Sequence, residues 1–296
     1  MKPVLHSISY AGLWRGQAAL SLEDFLRRAA GLGFAGVEIT AKRPHASPLD
    51  MPPERRDALA ALLRELRLDC VAMAAYTDFC NGAEGGLIPL TEMQLIYIEE
   101  ICKLAAAWNC PLVRIFTGYE RGDMAFWPQY DACVQGVRAS CDIAAKYGVA
   151  VGIQNHHDIA LDPPSLADFL NEVGRDNCKV MYDPWSPCAR GLSPTADLDW
   201  VYDKMVYTTL ADYQKVPRWH YQPAVVNYQQ DLPLLRACGV GDGLIENRAF
   251  LDDLAARGYD GPVCYEMCSD LAGGGSLENL DRLAKQFLDY MKPWTK

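Results

Sequence analysis

The middle of the chain reads Val149-Ala150-Val151-Gly152-Ile153-Gln154, and Asn155-His156-His157-Asp158 follow at once. The first five of these residues are apolar and partly β-branched, which is typical of a buried strand. A helical pattern over residues 128–147 precedes the run, and another over residues 164–174 follows it. The stretch therefore predicts one strand between two helices, with polar side chains where the strand ends.

The same alternation recurs along the chain. Eight apolar runs are predicted as strands, at residues 6–10, 36–40, 69–74, 112–116, 149–154, 179–183, 205–210 and 263–266. Helices are predicted at residues 22–29, 52–66, 91–108, 128–147, 164–174, 195–203, 247–257 and 277–291. Repeated β/α units favour a parallel sheet with right-handed crossovers, and eight of them favour closure. We therefore expect an α/β fold, a (β/α)8 TIM barrel, as one domain over residues 1–296.

An open dinucleotide-binding sheet is the main alternative architecture. It needs a Gly-x-Gly-x-x-Gly turn directly after the first strand. Residues 10–16 read Tyr-Ala-Gly-Leu-Trp-Arg-Gly instead, which does not fit. The glycine-rich run Gly239-Val240-Gly241-Asp242-Gly243 precedes a late helix, and we interpret it as a turn.

The composition of the chain limits the classes of molecule that it is expected to bind. The formal net charge of -10 argues against nucleic acid, whose binding needs clustered Lys and Arg. No run approaches the roughly 18 apolar residues of a membrane span, and the N-terminus lacks a signal-peptide pattern. The 11 cysteines include no CxxC pair and are expected to be reduced packing thiols. We expect a cytoplasmic protein that acts on a small molecule, with a homo-oligomer or a second subunit left open.

Polar side chains follow the predicted strands. They are Glu38, Arg114, residues 154–158, Asp183, residues 209–213 and Glu266. In a (β/α)8 barrel the carboxyl ends of the strands carry the reaction site. Because buried polar groups are costly without partners, such a ring is either a hydrogen-bonded network or a ligand site. A long segment over residues 213–245 follows the seventh strand and is predicted to be a loop that acts as a lid.

Several of these phrases resemble the xylose-isomerase-like sugar-phosphate isomerase/epimerase superfamily. They are Gly33-Phe34-Ala35-Gly36-Val37-Glu38, Gln154-Asn155-His156, Asp183, Leu210-Ala211-Asp212, Gly241-Asp242-Gly243 and Gly258-Tyr259-Asp260-Gly261-Pro262-Val263-Cys264-Tyr265-Glu266. Each motif is short, but their order and their placement along nearly the whole chain match together.

The resemblance implies a divalent metal, often Mn2+, with Mg2+, Co2+ or Zn2+ as other choices. In the family Glu, Asp, His and Glu from late strands hold it. Asp183 and Glu266 match two of these positions, whereas Gln154 replaces the first Glu and Thr209 replaces the His. An amide oxygen is an acceptable ligand, but a neutral Thr is a poor substitute for imidazole. His156 and His220 are the candidates to replace the missing histidine ligand. We expect Gln154, Asp183, Glu266 and His220 as the ligands of a site with lowered metal affinity.

Four further residues are candidates for binding the substrate. Lys215 resembles in position a cationic residue that some family epimerases carry after the seventh strand. Glu38 and Arg114 form either a buried ion pair or a substrate contact. Trp185 follows the sixth strand, where an aromatic ring suits stacking on a sugar face or ordinary loop packing.

The resemblance and the strand-end residues predict a metal-assisted isomerase or epimerase of keto sugars. Such an enzyme abstracts a proton next to a carbonyl, and Glu266 and His156 are the expected acid–base residues. Two alternatives remain open: a carbohydrate lyase that cleaves 3-oxo-C-glycosides or dehydrates keto-inositols, and a degenerate barrel that binds sugar or a partner subunit without catalysis. A nuclease resembling endonuclease IV is disfavoured, because its multi-zinc site needs several histidines and carboxylates, whereas this chain has five histidines in all and is strongly acidic.

Overall fold

Eight parallel strands close into a barrel in the computed structural model, which describes residues 1–81 and 88–295. These barrel strands are β1 (Lys2–His6), β2 (Gly36–Thr40), β3 (Asp69–Ala74), β4 (Leu112–Ile115), β5 (Ala150–Gln154), β6 (Cys178–Tyr182), β7 (Met205–Leu210) and β10 (Pro262–Tyr265). Each pairs with the next in chain order, and β10 closes the ring between β7 and β1. The predicted (β/α)8 TIM barrel is confirmed.

Helices surround the barrel. They are α1 (Leu22–Leu32), α2 (Pro53–Leu66), α3 (Leu90–Ala107), α4 (Phe126–Ala145), α5 (Pro163–Val173), the short α6 (Trp185–Ala189), α7 (Asn247–Ala256) and α8 (Leu277–Met291). Within the described residues, none of them has the length and apolar character that crossing a membrane requires. The predicted cap of α1 is present, since the Ser21 side chain accepts the Asp24 backbone N–H at 3.0 Å.

The first strand lies earlier than the sequence pattern predicts. It spans Lys2–His6, and the residues predicted to continue it, Ser7–Tyr10, form a 3-10 helix. The backbone turns there because the Ile8 N–H donates to His6 Nδ1 at 3.1 Å, which caps the new helix. His6 therefore ends the strand instead of beginning it.

The predicted helix at residues 195–203 is wrong. Two short 3-10 helices, Leu198–Trp200 and Tyr202–Lys204, lie there instead. Asp197 has a left-handed backbone conformation, with φ of 57°, which interrupts a regular α-helix at this point.

The predicted loop over residues 213–245 is also wrong in part. Residues Tyr213–Gln222 form strand β8 and residues Asn227–Ala237 form strand β9, paired as an antiparallel hairpin. Pro217 lies where the register shifts between Val216 and Arg218, a position that needs no ladder N–H. The hairpin is largely exposed.

The inside of the barrel has two layers. The lower layer is apolar and consists of Val4, Val71, Ala72, Leu112, Met181, Tyr207 and Cys264. Side chains two residues apart on a strand point to the same face. The next inward position on five strands is therefore polar and buried: His6, Arg114, Asp183, Thr209 and Glu266. Strand periodicity thus places a polar layer on top of the apolar one, at the carboxyl ends of the strands.

Candidate active site

A cavity of about 790 Å³ opens at the carboxyl ends of the barrel strands. Its lining combines charged groups with aromatic and apolar walls: His6, Ile8, Leu13, Trp14, Lys42, Tyr76, Thr77, Asp78, Leu90, Gln94, Arg114, Phe116, Tyr119, Gln154, His156, His157, Glu266 and Cys268. Its volume is in the range of small-molecule sites.

His6 stands between two carboxyl groups at the floor of this cavity. Its Nε2 lies 3.6 Å from Glu38 Oε1 and 3.8 Å from Glu266 Oε2. Burial, and next the positive charge of Arg114, lower the pKa of His6 far below its ordinary value, so the ring is neutral. Because Nδ1 accepts the Ile8 N–H, we assign the ring proton to Nε2, which then faces both carboxyl groups as a donor.

Glu38 and Arg114 form the buried ion pair that was one of their two predicted roles. Arg114 Nε lies 3.7 Å from Glu38 Oε1, and Tyr207 Oη donates to Glu38 Oε2 at 2.9 Å. Burial raises the pKa of Glu38 despite the opposing attraction of Arg114. Arg114 extends into the cavity lining and packs against aromatic rings, with its Cζ 4.1 Å from the Phe116 centroid.

Glu266 follows β10 and faces the cavity, with 7% of its surface exposed. Burial, followed by the negative charges of Asp183 and Glu38, raises the pKa of Glu266 from 4.5 to about 8. The carboxyl group therefore titrates close to neutral pH, where an acid–base residue is most effective.

Asp183 is held in a network on the β5 and β6 side. Gln154 Nε2 donates to Asp183 Oδ2 at 2.9 Å, and the Trp185 N–H donates to Oδ1 at 3.0 Å. The Asn155 side chain links the two strand ends, because it accepts the Asp183 N–H at 2.7 Å and donates to the Asp183 carbonyl. Burial raises the pKa of Asp183, and the charge interaction with His156 is the largest opposing influence on it.

The two adjacent histidines differ in their surroundings, and both line the cavity. His157 is stacked between Phe116, at 4.0 Å between centroids, and Tyr119, at 3.9 Å. Burial lowers the pKa of His157 to about 3, which keeps it neutral. His156 packs less closely on Phe116, at 5.4 Å, and is the more available of the two for chemistry.

The residues at the family's metal positions do not fit a divalent ion well. The Gln154 amide directs an N–H at Asp183, so one carboxylate oxygen is already paired. Thr209 is buried, and its Oγ1 has no hydrogen-bond partner within the described residues. Nowhere in residues 1–81 and 88–295 are three His, Cys, Asp or Glu side chains arranged to hold a metal.

Five predicted site residues do not line the cavity: Glu38 and Asp183 are buried beside residues that do, and the other three are His220, Lys215 and Trp185. His220 is on the exposed hairpin with its Nδ1 2.9 Å from Asp231 Oδ1, and Lys215 is exposed on the same strand. Trp185 packs on Tyr213, with 4.5 Å between the ring centroids. The hairpin directs His220 and Lys215 toward solvent, so neither belongs to the proposed site.

His6 and Lys42 are two functional cavity residues that the sequence pattern does not predict. The sequence pattern places His6 at the start of a strand, whereas it ends β1. Val4 points into the barrel, so a strand placed at residues 2–6 also points His6, two residues later, into the barrel. Lys42 follows β2 and carries its Nζ 3.6 Å from the Tyr76 ring centroid. No sequence motif marked it.

Asp212 holds the glycine-rich loop Gly241-Asp242-Gly243 by hydrogen bonds. Its carboxylate accepts the backbone N–H groups of Tyr213, Gly241, Gly243 and Ile245 at 2.9 to 3.1 Å. A side chain at Gly243 would collide with this carboxylate. The glycine-rich run is therefore a turn, as predicted, and it anchors the base of the hairpin.

Comparisons with known proteins agree with this architecture. The fold is similar to a probable 3-DHS dehydratase, AsbF, of Bacillus anthracis, with a TM-score of 0.73, 17% identity and coverage of 99% of both chains. It is similar to D-psicose 3-epimerase of Clostridium cellulolyticum H10, with a TM-score of 0.72, 16% identity and 99% coverage of both.

The D-allulose 3-epimerase of Methylomonas sp. has a TM-score of 0.71 and 16% identity, over 99% of this chain and 97% of the other. No curated protein matches the sequence. The family of xylose isomerase-like TIM barrels matches over residues 26–294. The chain belongs to the xylose isomerase-like TIM barrel family.

Proposed function

We propose that this protein is a carbohydrate-modifying enzyme that removes a proton from the carbon next to a carbonyl group. The observation that carries the proposal is Glu266, a buried carboxyl group that faces the cavity with a pKa raised to about 8. A base with a pKa near the working pH is the group that such a step requires.

The step uses two protein groups. The Glu266 carboxylate takes the proton, the C–H electrons form a carbon–carbon double bond, and the carbonyl oxygen becomes an enolate oxyanion. His6 Nε2–H, 3.8 Å from Glu266, is the nearby donor for that oxygen. A neutral imidazole suits this role because its donor is preorganised in a dry site. Protonation of the same carbon from its opposite face, by a second group such as His156, epimerises it. Return of the proton to the former carbonyl carbon, with transfer of the neighbouring hydroxyl proton to the former carbonyl oxygen, isomerises the sugar.

The cavity walls support a carbohydrate as the substrate. Trp14, Tyr76, Phe116 and Tyr119 supply aromatic surface, which suits the C–H faces of a sugar ring. The charged groups at the floor supply hydrogen-bonding partners for hydroxyl groups. The fold similarity to two sugar 3-epimerases is consistent with this class.

Elimination is the second candidate, and His156 is the observation that favours it. It lines the same cavity as Glu266, from the end of a different strand. After proton removal, an imidazolium could donate its proton to a departing hydroxyl group, so that water leaves and the double bond stays. The fold similarity to a probable dehydratase is consistent with this outcome.

The test is exchange of carbon-bound hydrogen in deuterated water. D-Fructose, D-allulose and D-tagatose are incubated with the protein, with and without added Mn2+, and followed by NMR and mass spectrometry. We expect wild type to incorporate deuterium at the carbon next to the carbonyl. Exchange by Glu266→Gln should be slower than exchange by wild type by a factor of about 100 or more. Glu278→Gln, exposed on α8, is the matched control and should behave as wild type.

Loss of a hydroxyl as water, in place of a rearranged sugar, would identify the elimination. Saturable binding of these sugars without exchange at any of them would contradict the proposal and favour a non-catalytic sugar-binding barrel.

A further inference from the structure

Two cations share one wall of the cavity. Lys42 Nζ lies 3.6 Å from the centroid of the Tyr76 ring, and Arg114 Cζ lies 4.8 Å from the same centroid. Both residues line the cavity. This local positive charge contrasts with the formal net charge of -10 of the whole chain.

The charge of this wall is not fully neutralised by the protein. Within the described residues, Lys42 has no carboxylate at ion-pair distance, and its recorded partner is the Tyr76 ring. Arg114 pairs with Glu38, which balances one positive charge. Lys42 therefore remains at the cavity wall as a half-buried cation without an ion-pair partner, and a buried charge is unfavourable without one.

Unpartnered donors accompany these charges. Arg114 is 2% exposed, and its buried Nε has no hydrogen-bond acceptor within the described residues. The buried hydroxyl of Tyr76 likewise has none. Buried donors normally have acceptors, so this cluster has the composition of a binding site for an oxyanion.

We propose that Lys42 and Arg114 receive a carboxylate of the substrate, so that the carbohydrate is a sugar acid. The inference deepens the proposed function and rests on it. A carboxylate carries the single negative charge that matches Lys42, the cation without an ion-pair partner, whereas a phosphate dianion needs more. The planar guanidinium also suits a carboxylate. The carboxylate end of the sugar lies at Tyr76, and the reacting carbon lies at Glu266.

Binding of paired sugars tests this assignment. Isothermal titration compares D-fructuronate with D-fructose, compares D-galacturonate with D-galactose, and includes D-fructose 6-phosphate. We expect each acid to bind about tenfold or more tightly than its neutral partner, and tighter than the phosphate. Lys42→Gln should abolish the preference, and Lys42→Arg should restore most of it.

Lys146→Gln is the matched control, because Lys146 is exposed just after α4, before β5, at the opposite end of the barrel. The inference would be overturned by equal binding of acids and neutral sugars, by a stronger preference for the phosphate, or by an acid preference that survives Lys42→Gln.

Deuterium exchange, run on the same sugars, separates the two proposals. Exchange without an acid preference overturns only the inference, whereas a Lys42-dependent acid preference without exchange supports the inference and contradicts the proposed reaction.

Discussion

The side-chain amide of Gln154 donates a hydrogen bond of 2.9 Å to Oδ2 of Asp183. A glutamate at position 154 would place a second negative charge against Asp183, and a cation between them would be needed to relieve the repulsion. The amide removes that need, because it satisfies the carboxylate directly. The Gln154–Asp183 pair thus lowers the electrostatic need for a divalent ion at this position.

Restoring the family's donor types is expected to create a stronger metal site. Gln154→Glu together with Thr209→His adds a carboxylate and an imidazole beside Asp183 and Glu266, and Mn2+ accepts both ligand types. Titration of free Mn2+ by electron paramagnetic resonance should give at least about tenfold tighter binding in the double variant than in wild type. Thr209→Val is the control for the change at that buried position. Wild type that binds Mn2+ as tightly as the double variant would show that the present donors suffice.

The proposed base makes a prediction about the pH dependence of activity. Glu266 acts as its carboxylate, and the pKa of this group is raised to about 8. The rate of deuterium exchange should therefore rise from pH 6 and level off above pH 8. Steady-state rates across this range provide the measurement. A profile that levels off near pH 5 would assign the proton transfer to a group with an ordinary carboxyl pKa.

The buried carboxyl group of Glu266 is expected to lower the stability of the fold at high pH. The pKa of Glu266 is higher in the folded chain than the ordinary value of 4.5, so the folded state holds a proton that the unfolded chain releases. The stability from this group is complete below pH 4.5 and is lost as the pH rises through about 8. We expect Glu266→Gln to be more stable than wild type by roughly 1–3 kcal/mol at pH 8, with little difference at pH 4.5. Thermal denaturation at both pH values checks this, with Glu278→Gln, a change at an exposed carboxyl group, as the control.

The strands and the polar layer were predictable because they follow simple periods. Strands β2, β3 and β7 match the predicted runs residue for residue, since buried parallel strands read as apolar stretches. Asp183 and Glu266 follow such stretches directly. The position of a polar residue at the end of a strand depends only on neighbouring residues, so it can be predicted from the sequence.

Other features depend on contacts that are distant in sequence. The register of β1 is fixed by pairing Val4 with Cys264 and with Gly36, which a local pattern does not reveal. Lys42 reaches the cavity only through its contact with Tyr76. The hairpin of β8 and β9 has exposed faces on both strands, so it lacks the apolar alternation that marks a half-buried strand.

The ion pair under the cavity predicts a coupled effect on stability. Arg114→Met leaves Glu38 buried without its cationic partner and should lower the free energy of unfolding by about 3–5 kcal/mol. Adding Glu38→Gln removes the unpaired charge and keeps an acceptor for Tyr207 Oη, so the double variant should recover about 1–3 kcal/mol. Urea denaturation of wild type, both single variants and the double variant gives the coupling energy. Strictly additive losses would mean that the 3.7 Å contact contributes nothing.

The Asp212 carboxylate predicts the stability of the hairpin base. Its two oxygens accept four backbone N–H groups, two of them from Gly241 and Gly243. Asp212→Asn turns an N–H2 group toward two of these donors, and the buried donors left unpaired should lower the free energy of unfolding by about 2–4 kcal/mol. Hydrogen exchange should accelerate at Gly241, Gly243 and Ile245, while the barrel strands stay protected. Asp242→Asn, on an exposed neighbour that binds Gln286, is the control and should leave those amides protected. Equal exchange in the two variants would mean that the loop is held by its backbone conformation alone.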